Sequence, residues 1–104
     1  MMGMTRTRTH DLALAIRHYL AGEEESARLL AYQIAREAMA QGVGLLEVAN
    51  GHQEALAIVL SRVWTPDESV RAVKASAELL QESLGPFEMV YRAFQEANGL
   101  GPPA

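Results

Sequence analysis

An apolar repeat that continues through a proline is the feature that most constrains how this sequence folds. From Val70 to Phe94, apolar side chains recur at alternating spacings of three and four residues, the pattern of one face of a helix. We call this set the large-residue face; its members are Val70, Val73, Ala77, Leu80, Leu84, Phe87, Tyr91 and Phe94. The repeat keeps its phase across Gly85 and Pro86. Two independently oriented helices would not need to stay in phase, so the pattern predicts one long helix, kinked or locally unwound at Pro86.

The same helix has a second face, built mainly of smaller side chains. We call it the small-residue face; its members are Ala72, Ser76, Leu79, Ser83, Pro86, Val90, Ala93 and Ala97. Small side chains allow another backbone to approach closely. The helix is predicted to begin at Thr65-Pro66-Asp67-Glu68, which has a threonine at the N-cap, a proline at N1 and a glutamate at N3, the signature of a capping box.

Three shorter helices precede the long one. Helical periodicity and glycine stops place them over residues 10–21, 23–41 and 45–64, with Thr9 as the first N-cap and with Gly22 and Gly42 ending the first two. Because short connections favour antiparallel neighbours, we predict an all-α antiparallel four-helix bundle with a long, kinked last helix over about 66–98. We expect residues 1–9 to be a frayed tail, residues 10–98 one domain and residues 99–104 a flexible tail. The second half of the last helix would project past its partners.

Composition argues against several classes of function. The net charge of −4 does not favour a surface for nucleic acid or for an anionic membrane. The longest apolar run, Ala55 to Leu60, is too short to span a bilayer. The absence of cysteine excludes disulfides and thiolate chemistry and agrees with a cytoplasmic location. We therefore expect neither a nucleic-acid partner nor a membrane partner.

Residues that could carry out catalysis form no recognisable pattern. None of His10, His18 and His52 follows a glutamate by three residues, so the Glu-x-x-His signature of carboxylate-bridged metal sites is missing. No serine has a Gly-x-Ser-x-Gly setting, and no glycine-rich loop suits a phosphate. We expect no catalytic residue, no metal and no cofactor. For His52, on the apolar stripe of the third helix, the simple interpretation is a histidine bonded to a neighbour at the edge of the core; the alternative is a protonation-sensitive contact.

The projecting half of the last helix is the best candidate for a functional surface. A lone domain would leave Phe87, Tyr91 and Phe94 in water, so we expect a parallel homodimer or a partner helix to cover them. The candidate contact residues are Leu79, Leu80, Ser83, Leu84, Gly85, Pro86, Phe87, Glu88, Met89, Val90, Tyr91 and Phe94, with Leu29 of the second helix as an additional candidate.

Five segments of the sequence together form the pattern of a known family. They are Tyr19-Leu20, Leu30 to Arg36 with Ala38, Gly42 to Val48, His52 to Leu56, and Glu82 to Asn98. The most specific part is Pro86-Phe87-Glu88-Met89, followed by Arg92, Phe94, Glu96 and Ala97. From about residue 12 to residue 98, the sequence resembles the N-terminal domain family of the phosphoserine phosphatase RsbU.

This resemblance implies a helical, dimerising regulatory domain that precedes phosphatase or histidine-kinase effectors in bacterial stress signalling and does no chemistry itself. It also implies that the docking partner is RsbT, a kinase-related switch protein. Members of the family usually continue the last helix into a coiled coil that drives an effector, whereas the helical pattern here stops at Gly99. We therefore expect either an excised domain or one that acts in trans. The residues alone leave two alternatives open: a purely structural dimerisation module, and a domain that senses a small apolar molecule between its helices.

Overall fold

A computed structural model describes residues 4–63 and 65–99, which contain four helices and no strand. The helices are α1 (Arg6–Leu20), α2 (Glu24–Ala40), α3 (Leu45–Leu60) and α4 (Pro66–Ala97). The prediction of an all-α bundle with a long last helix is confirmed. α4 has 32 residues and is about 48 Å long at 1.5 Å per residue. α3 ends at Leu60, earlier than predicted, and Trp64 lies outside the described residues.

The first helix begins earlier than the sequence predicted. Its N-cap is Thr5, whose hydroxyl accepts a hydrogen bond from the backbone N–H of Arg8 at 3.1 Å, while Thr9 is buried inside the helix. Met4 packs over Gly51 of α3, where an added Cβ would lie 3.0 Å from the Met4 Cγ. The predicted N-cap at Thr9 is therefore wrong, because Thr5 caps the helix. The predicted frayed tail is wrong from Met4 onward, because Met4 packs against α3 and the helix begins at Arg6. Residues 1–3 lie outside the described residues.

Glycine ends α1 and α2, as predicted. Gly22 and Gly42 have φ angles of 92° and 83°, in the left-handed region that a Cβ disfavours. After α1, the N–H of Glu23 donates to the carbonyl of His18 at 2.9 Å, and an equivalent bond follows α2. This is the long bond of the Schellman motif, which satisfies a carbonyl that the helix end leaves unpaired.

The start of α4 confirms the predicted cap, but the helix does not unwind at its proline. The hydroxyl of Thr65 accepts a hydrogen bond from the N–H of Glu68 at 3.1 Å, and Pro66 is in the first turn. The chain then stays helical through Gly85 and Pro86. Pro86 has no N–H to donate, so one backbone bond is lost while the helix continues on both sides.

The helices are arranged around the bundle in the order α1, α2, α4, α3, so that α2 and α3 lie on a diagonal with little contact. α1 and α2 are antiparallel, because Arg8 near the start of α1 donates to Gln41 just after α2. The expectation that helices adjacent in sequence are neighbours in space holds for α1 with α2 and for α3 with α4. It fails for α2 with α3.

The core of the bundle is built largely from small side chains. Leu12, Ile16, Val48 and Leu79 are its largest fully buried apolar residues. Most of the other buried hydrophobic residues are alanine, namely Ala13, Ala15, Ala27, Ala31, Ala35, Ala38, Ala55, Ala72 and Ala75. Alanine at helix contacts allows the backbones to come close, so this core is thin and leaves little room for large side chains.

α4 therefore uses its two apolar faces differently from the prediction. The small-residue face points into the bundle; its buried members are Ala72, Ser76, Leu79, Ser83 and Pro86. The large-residue face points outward even where α4 lies beside the bundle, since Val70 is 52% exposed, Val73 is 49% exposed and Ala77 is also exposed. From the sequence, we expected this face to be exposed to solvent only where α4 extends past the other helices. This expectation was wrong because side-chain size is a poor guide to burial when the core is rich in alanine.

Candidate protein interface

The large-residue face forms a continuous apolar surface along α4. At 100° per residue, its members from Val73 to Phe94 share a sector of about 100° that contains no charged residue. Leu80 and Leu84 are half-buried, and Phe87 packs against a small cluster formed by α2 and α3. An uncharged apolar strip of this length on one helix is typical of a surface that another protein covers.

An apolar groove lies at one end of this surface. It is lined by Leu60, Ser69, Val70, Val73 and Lys74, with carbon atoms making up nearly all of its wall. Leu60 comes from the end of α3 and the other four residues come from the start of α4, so the groove is formed where these two antiparallel helices meet. The groove is open to solvent and suits an apolar side chain from outside the chain.

Two aromatic rings stand at the other end, past the bundle. From Glu88 to Gly99, every residue except Gln95 is exposed. Tyr91 is 60% exposed and Phe94 is 59% exposed. The groove and the rings are on the same side of α4, separated by about 30 Å along the helix. The second half of α4 therefore projects past its partners, as predicted.

The predicted contact residues fall into three groups in the structure. The exposed group is Glu88, Met89, Val90, Tyr91 and Phe94; the half-buried group is Leu80, Leu84, Gly85 and Phe87; the buried group is Leu79, Ser83 and Pro86. Leu79 and Ser83 are 0% exposed. These two residues and Pro86 belong to the core and do not lie on the surface of the chain. Leu29, on α2, is 57% exposed.

Two of the predicted contacts face another side of α4. The hydroxyl of Tyr32 on α2 lies 3.9 Å from the Met89 Sδ. A Cβ added to Gly85 would lie 3.6 Å from the ring of the same tyrosine. Gly85 and Met89 therefore belong to the α2 side of α4, and the structure does not bring them together with Tyr91 and Phe94.

Four residues of the surface, Leu60, Val70, Val73 and Ala77, were missing from the predicted contacts. Val70 and Val73 are exposed at the start of α4, and Leu60 of α3 lies beside them. The signal was in the sequence, since the repeat begins at Val70. It was missed because the first half of α4 was expected to complete the bundle. The surface therefore runs the length of α4 instead of covering only its projecting half.

An ion-pair cluster holds α1, α2 and α4 together on the side of the bundle near Gly22. The guanidinium of Arg28 lies 2.9 Å from Glu78 and 3.1 Å from Glu82, and 5.6 Å from the centre of the Tyr19 ring. The hydroxyl of Tyr19 donates to Glu78, and this hydrogen bond raises the pKa of the tyrosine. The hydrogen bond to Glu82 raises the pKa of Arg28. These groups are partly exposed, so solvent screens them and their part is to orient the helices.

A buried hydrogen-bonded chain joins α3, α4 and α2. The Nε2 of His52, which is 3% exposed, lies 2.8 Å from the Oγ of Ser83, and this hydroxyl donates to the carbonyl of Ala31 at 3.2 Å. A serine has one hydroxyl hydrogen, so with that hydrogen on Ala31 the Nε2–H of His52 must be the donor to Ser83. The Nδ1 of His52 is then an unprotonated nitrogen, buried without a partner among residues 4–63 and 65–99.

The burial of His52 determines its charge. Removal from water lowers the pKa of His52 to about 4, because a charged imidazolium loses its hydration in the core. The residue is therefore neutral at pH 7. The simple interpretation made from the sequence, a histidine bonded to a neighbour, is confirmed, although His52 lies deeper than the edge of the core.

The sequence of the chain matches one family. The model of the family described as "Phosphoserine phosphatase RsbU, N-terminal domain" matches residues 12–90. The chain belongs to the RsbU N-terminal domain family. The RsbU N-terminal domain is a non-catalytic regulatory region of the phosphatase in stress signalling. No curated protein and no solved structure matches the chain.

The described part of the RsbU-like domain contains neither a membrane-spanning helix nor a metal-binding cluster. Over residues 4–63 and 65–99, none of the helices combines the length and the apolar character needed to cross a membrane. The same stretches hold no group of three or more histidine, aspartate or glutamate side chains placed to bind a metal ion.

Proposed function

We propose that this chain is a non-catalytic regulatory domain that dimerises and docks an RsbT-like switch kinase in bacterial stress signalling. Membership of the RsbU N-terminal domain family supports the regulatory role. The observation that carries the proposal is the large-residue face of α4, an uncharged apolar surface that the described residues of the chain cover only in part.

The large-residue face is the dimerisation surface in this proposal. It extends from Val70 to Phe94, about 36 Å along the helix. Burying apolar surface is favourable by about 25 cal/mol per Å². A second copy has the same face, so association removes both faces from water at once.

The α2 side of α4 is the docking surface for the kinase. Gly85 and Met89 lie on this side, next to Tyr32 of α2, and Leu29 of the same helix is 57% exposed. These residues are outside the large-residue face and remain accessible when that face is covered. A dimer can therefore bind a kinase on each copy without competition between the two contacts.

The test is a pair of charge substitutions, one on each surface. Tyr91→Asp places a carboxylate in the dimer contact, and desolvation of that charge should weaken dimerisation at least about 100-fold in Kd, measured by sedimentation equilibrium. Leu29→Asp should leave the dimer intact and weaken capture of a purified RsbT-like kinase. Leu14→Asp is the matched control, since Leu14 is 43% exposed on α1, away from both surfaces. It should change neither measurement.

Each outcome decides one part of the proposal. A Tyr91→Asp variant that keeps its circular dichroism spectrum and dimerises like the unchanged protein would overturn the assignment of the dimer surface. A dimer with no measurable affinity for the kinase would favour a purely structural dimerisation module. Tyr91 is preferred to Phe87 for this test because Phe87 also packs against the chain's own small cluster.

A further inference from the structure

We propose that the second copy lies antiparallel along α4, in a register centred on Glu82, and not parallel to it as expected from the sequence. This inference rests on the proposed function, in which two copies associate through the large-residue face, and it adds the direction and register of the contact. Three observations carry it: the distribution of side-chain size along the face, the positions of the groove and the rings, and two charges at the border of the face.

Side-chain size changes steadily along the large-residue face. The members before Leu80 are two valines and an alanine, and the members after Leu84 are three aromatic residues. In an antiparallel pair centred on Glu82, each small residue meets a large one. The pairs are Val70 with Phe94 of the second copy, Val73 with Tyr91, Ala77 with Phe87, and Leu80 with Leu84.

This register uses the whole face. A shift of one heptad in either direction leaves at least one small or aromatic residue at an end without a partner. A parallel pair would place each residue against its own copy, so Ala77 would meet Ala77 and Phe87 would meet Phe87. One end would then have voids and the other would be overpacked, and both cost stability in a close-packed contact. The antiparallel register fills every layer to a similar volume.

The groove and the rings are also complementary only in the antiparallel direction. The groove lined by Leu60, Val70 and Val73 is at the start of α4, and the exposed rings of Tyr91 and Phe94 are at its end. Reversing the second copy brings its rings to the groove, at both ends of the dimer. In a parallel pair, groove would face groove and rings would face rings. The rings would then remain partly in water.

Lys74 and Glu88 supply the charge complementarity. Both lie at the same border of the large-residue face, in equivalent heptad positions. In the antiparallel register, Lys74 comes within about 3 Å, measured along the helix axis, of the level of Glu88 of the second copy. The two-fold symmetry of the dimer produces two such pairs of Lys74 with Glu88. In a parallel pair, Lys74 would instead meet Ser69, and Glu88 would meet Ser83. Lys74 would then have no opposite charge across the contact, and Glu88 would keep only Arg92 of its own helix, 2.7 Å away.

The experiment uses the absence of cysteine in the chain. Val73→Cys and Tyr91→Cys are prepared as separate full-length variants and oxidised alone and as an equal mixture. In the antiparallel register, position 73 of one copy meets position 91 of the other, within the roughly 7 Å between Cα atoms that a disulfide allows. Two copies of position 73 are then about 27 Å apart. We expect a cross-linked dimer in the mixture and almost none in either variant alone.

The other outcomes separate this inference from the proposed function. Cross-linking in each variant alone, with none added by mixing, would overturn the antiparallel direction and leave the dimer surface standing. Dimers by sedimentation that cross-link in no combination would overturn both the direction and the surface. Monomers of the unchanged protein at tens of micromolar would overturn the homodimer itself. A Lys74→Glu variant provides a second measurement: it should weaken the dimer, and Glu88→Lys added to it should restore affinity.

Discussion

The two apolar faces of α4 differ in side-chain size and in burial. The small-residue face includes Ser83 and Ala72, both 0% exposed, and lies against the bundle. The large-residue face carries the rings of Tyr91 and Phe94, which are about 60% exposed. A hydrophobicity profile would predict that the larger apolar side chains are buried in the core. Close helix packing selects small residues inside the bundle, so the larger apolar residues of α4 remain on its outside.

The two faces contribute to stability in different ways. The small-residue face contributes to the folding of each copy, whatever the protein concentration. The large-residue face is proposed to contribute only when a second copy binds, so its effect on stability should grow with concentration. Substitutions on the two faces should therefore be distinguishable by measuring unfolding at low and at high protein concentration.

The largest effect is expected for truncation of Leu79. It is the large member of the small-residue face, and it is 0% exposed. Leu79→Ala should lower the free energy of unfolding by about 2 to 5 kcal/mol, since it removes buried methyl groups and leaves a cavity in a core with few large side chains to fill it. Urea unfolding monitored by circular dichroism measures this loss. It should be similar at all protein concentrations.

The matched control is Leu80→Ala, the same substitution one residue later on the large-residue face. Leu80 is half-buried. In dilute protein, Leu80→Ala should lower the free energy of unfolding much less than Leu79→Ala does. The difference between the two losses should narrow as the concentration rises and dimers form. Equal losses for Leu79→Ala and Leu80→Ala in dilute protein would break the distinction between the two faces.

A second prediction concerns the polar side chains on the buried side. His52 bonds to Ser83 and has its pKa lowered to about 4 by burial, against 6.5 in the unfolded chain. Between these values the unfolded chain binds a proton that the folded chain does not. Stability is therefore fully present above about pH 6.5 and falls as the pH drops towards 4. The total loss is about 3 kcal/mol, at 1.36 kcal/mol per unit of pKa difference.

The measurement is urea unfolding between pH 7 and pH 4. Carboxylates also titrate at the acid end, so the contribution of His52 is the difference between the unchanged protein and His52→Gln, a neutral side chain that can still donate to Ser83. His10→Gln, at an exposed histidine, is the control and should leave the slope in place. If His52→Gln follows the unchanged protein at every pH, then the histidine is not held neutral in the core.

Much of the fold could be predicted from local signals. The cap at Thr65 and the stops at Gly22 and Gly42 each depend on a few neighbouring residues, and the structure contains all three. The early start of α1 was harder to predict. It depends on Met4 packing over Gly51, a contact between distant parts of the chain that no local pattern indicates.

The site was only partly predictable, for a related reason. The repeat from Val70 to Phe94 revealed an apolar face, but periodicity does not say which of two faces the rest of the chain covers. That choice follows from the alanines on α1, α2 and α3, which allow the small-residue face to pack closely. The exposure of Val70 and the burial of Ser83 could therefore not be assigned before the helices were assembled.

The smallest effect is expected at Gly85, a position that lies on neither apolar face. Gly85 is on the α2 side of α4 in a helical conformation, and a Cβ there would lie 3.6 Å from the Tyr32 ring, an ordinary contact. Its small size is not needed for packing, unlike that of Ser83. Gly85→Ala should therefore raise the free energy of unfolding by about 0.5 to 1 kcal/mol through helix propensity. Gly42→Ala is the control and should lower the free energy of unfolding, because φ is 83° at this position and a Cβ is strained there. A loss of stability in Gly85→Ala would mean that α2 and α4 pack too closely at this point for a methyl group, and that α4 has a third side on which size is restricted.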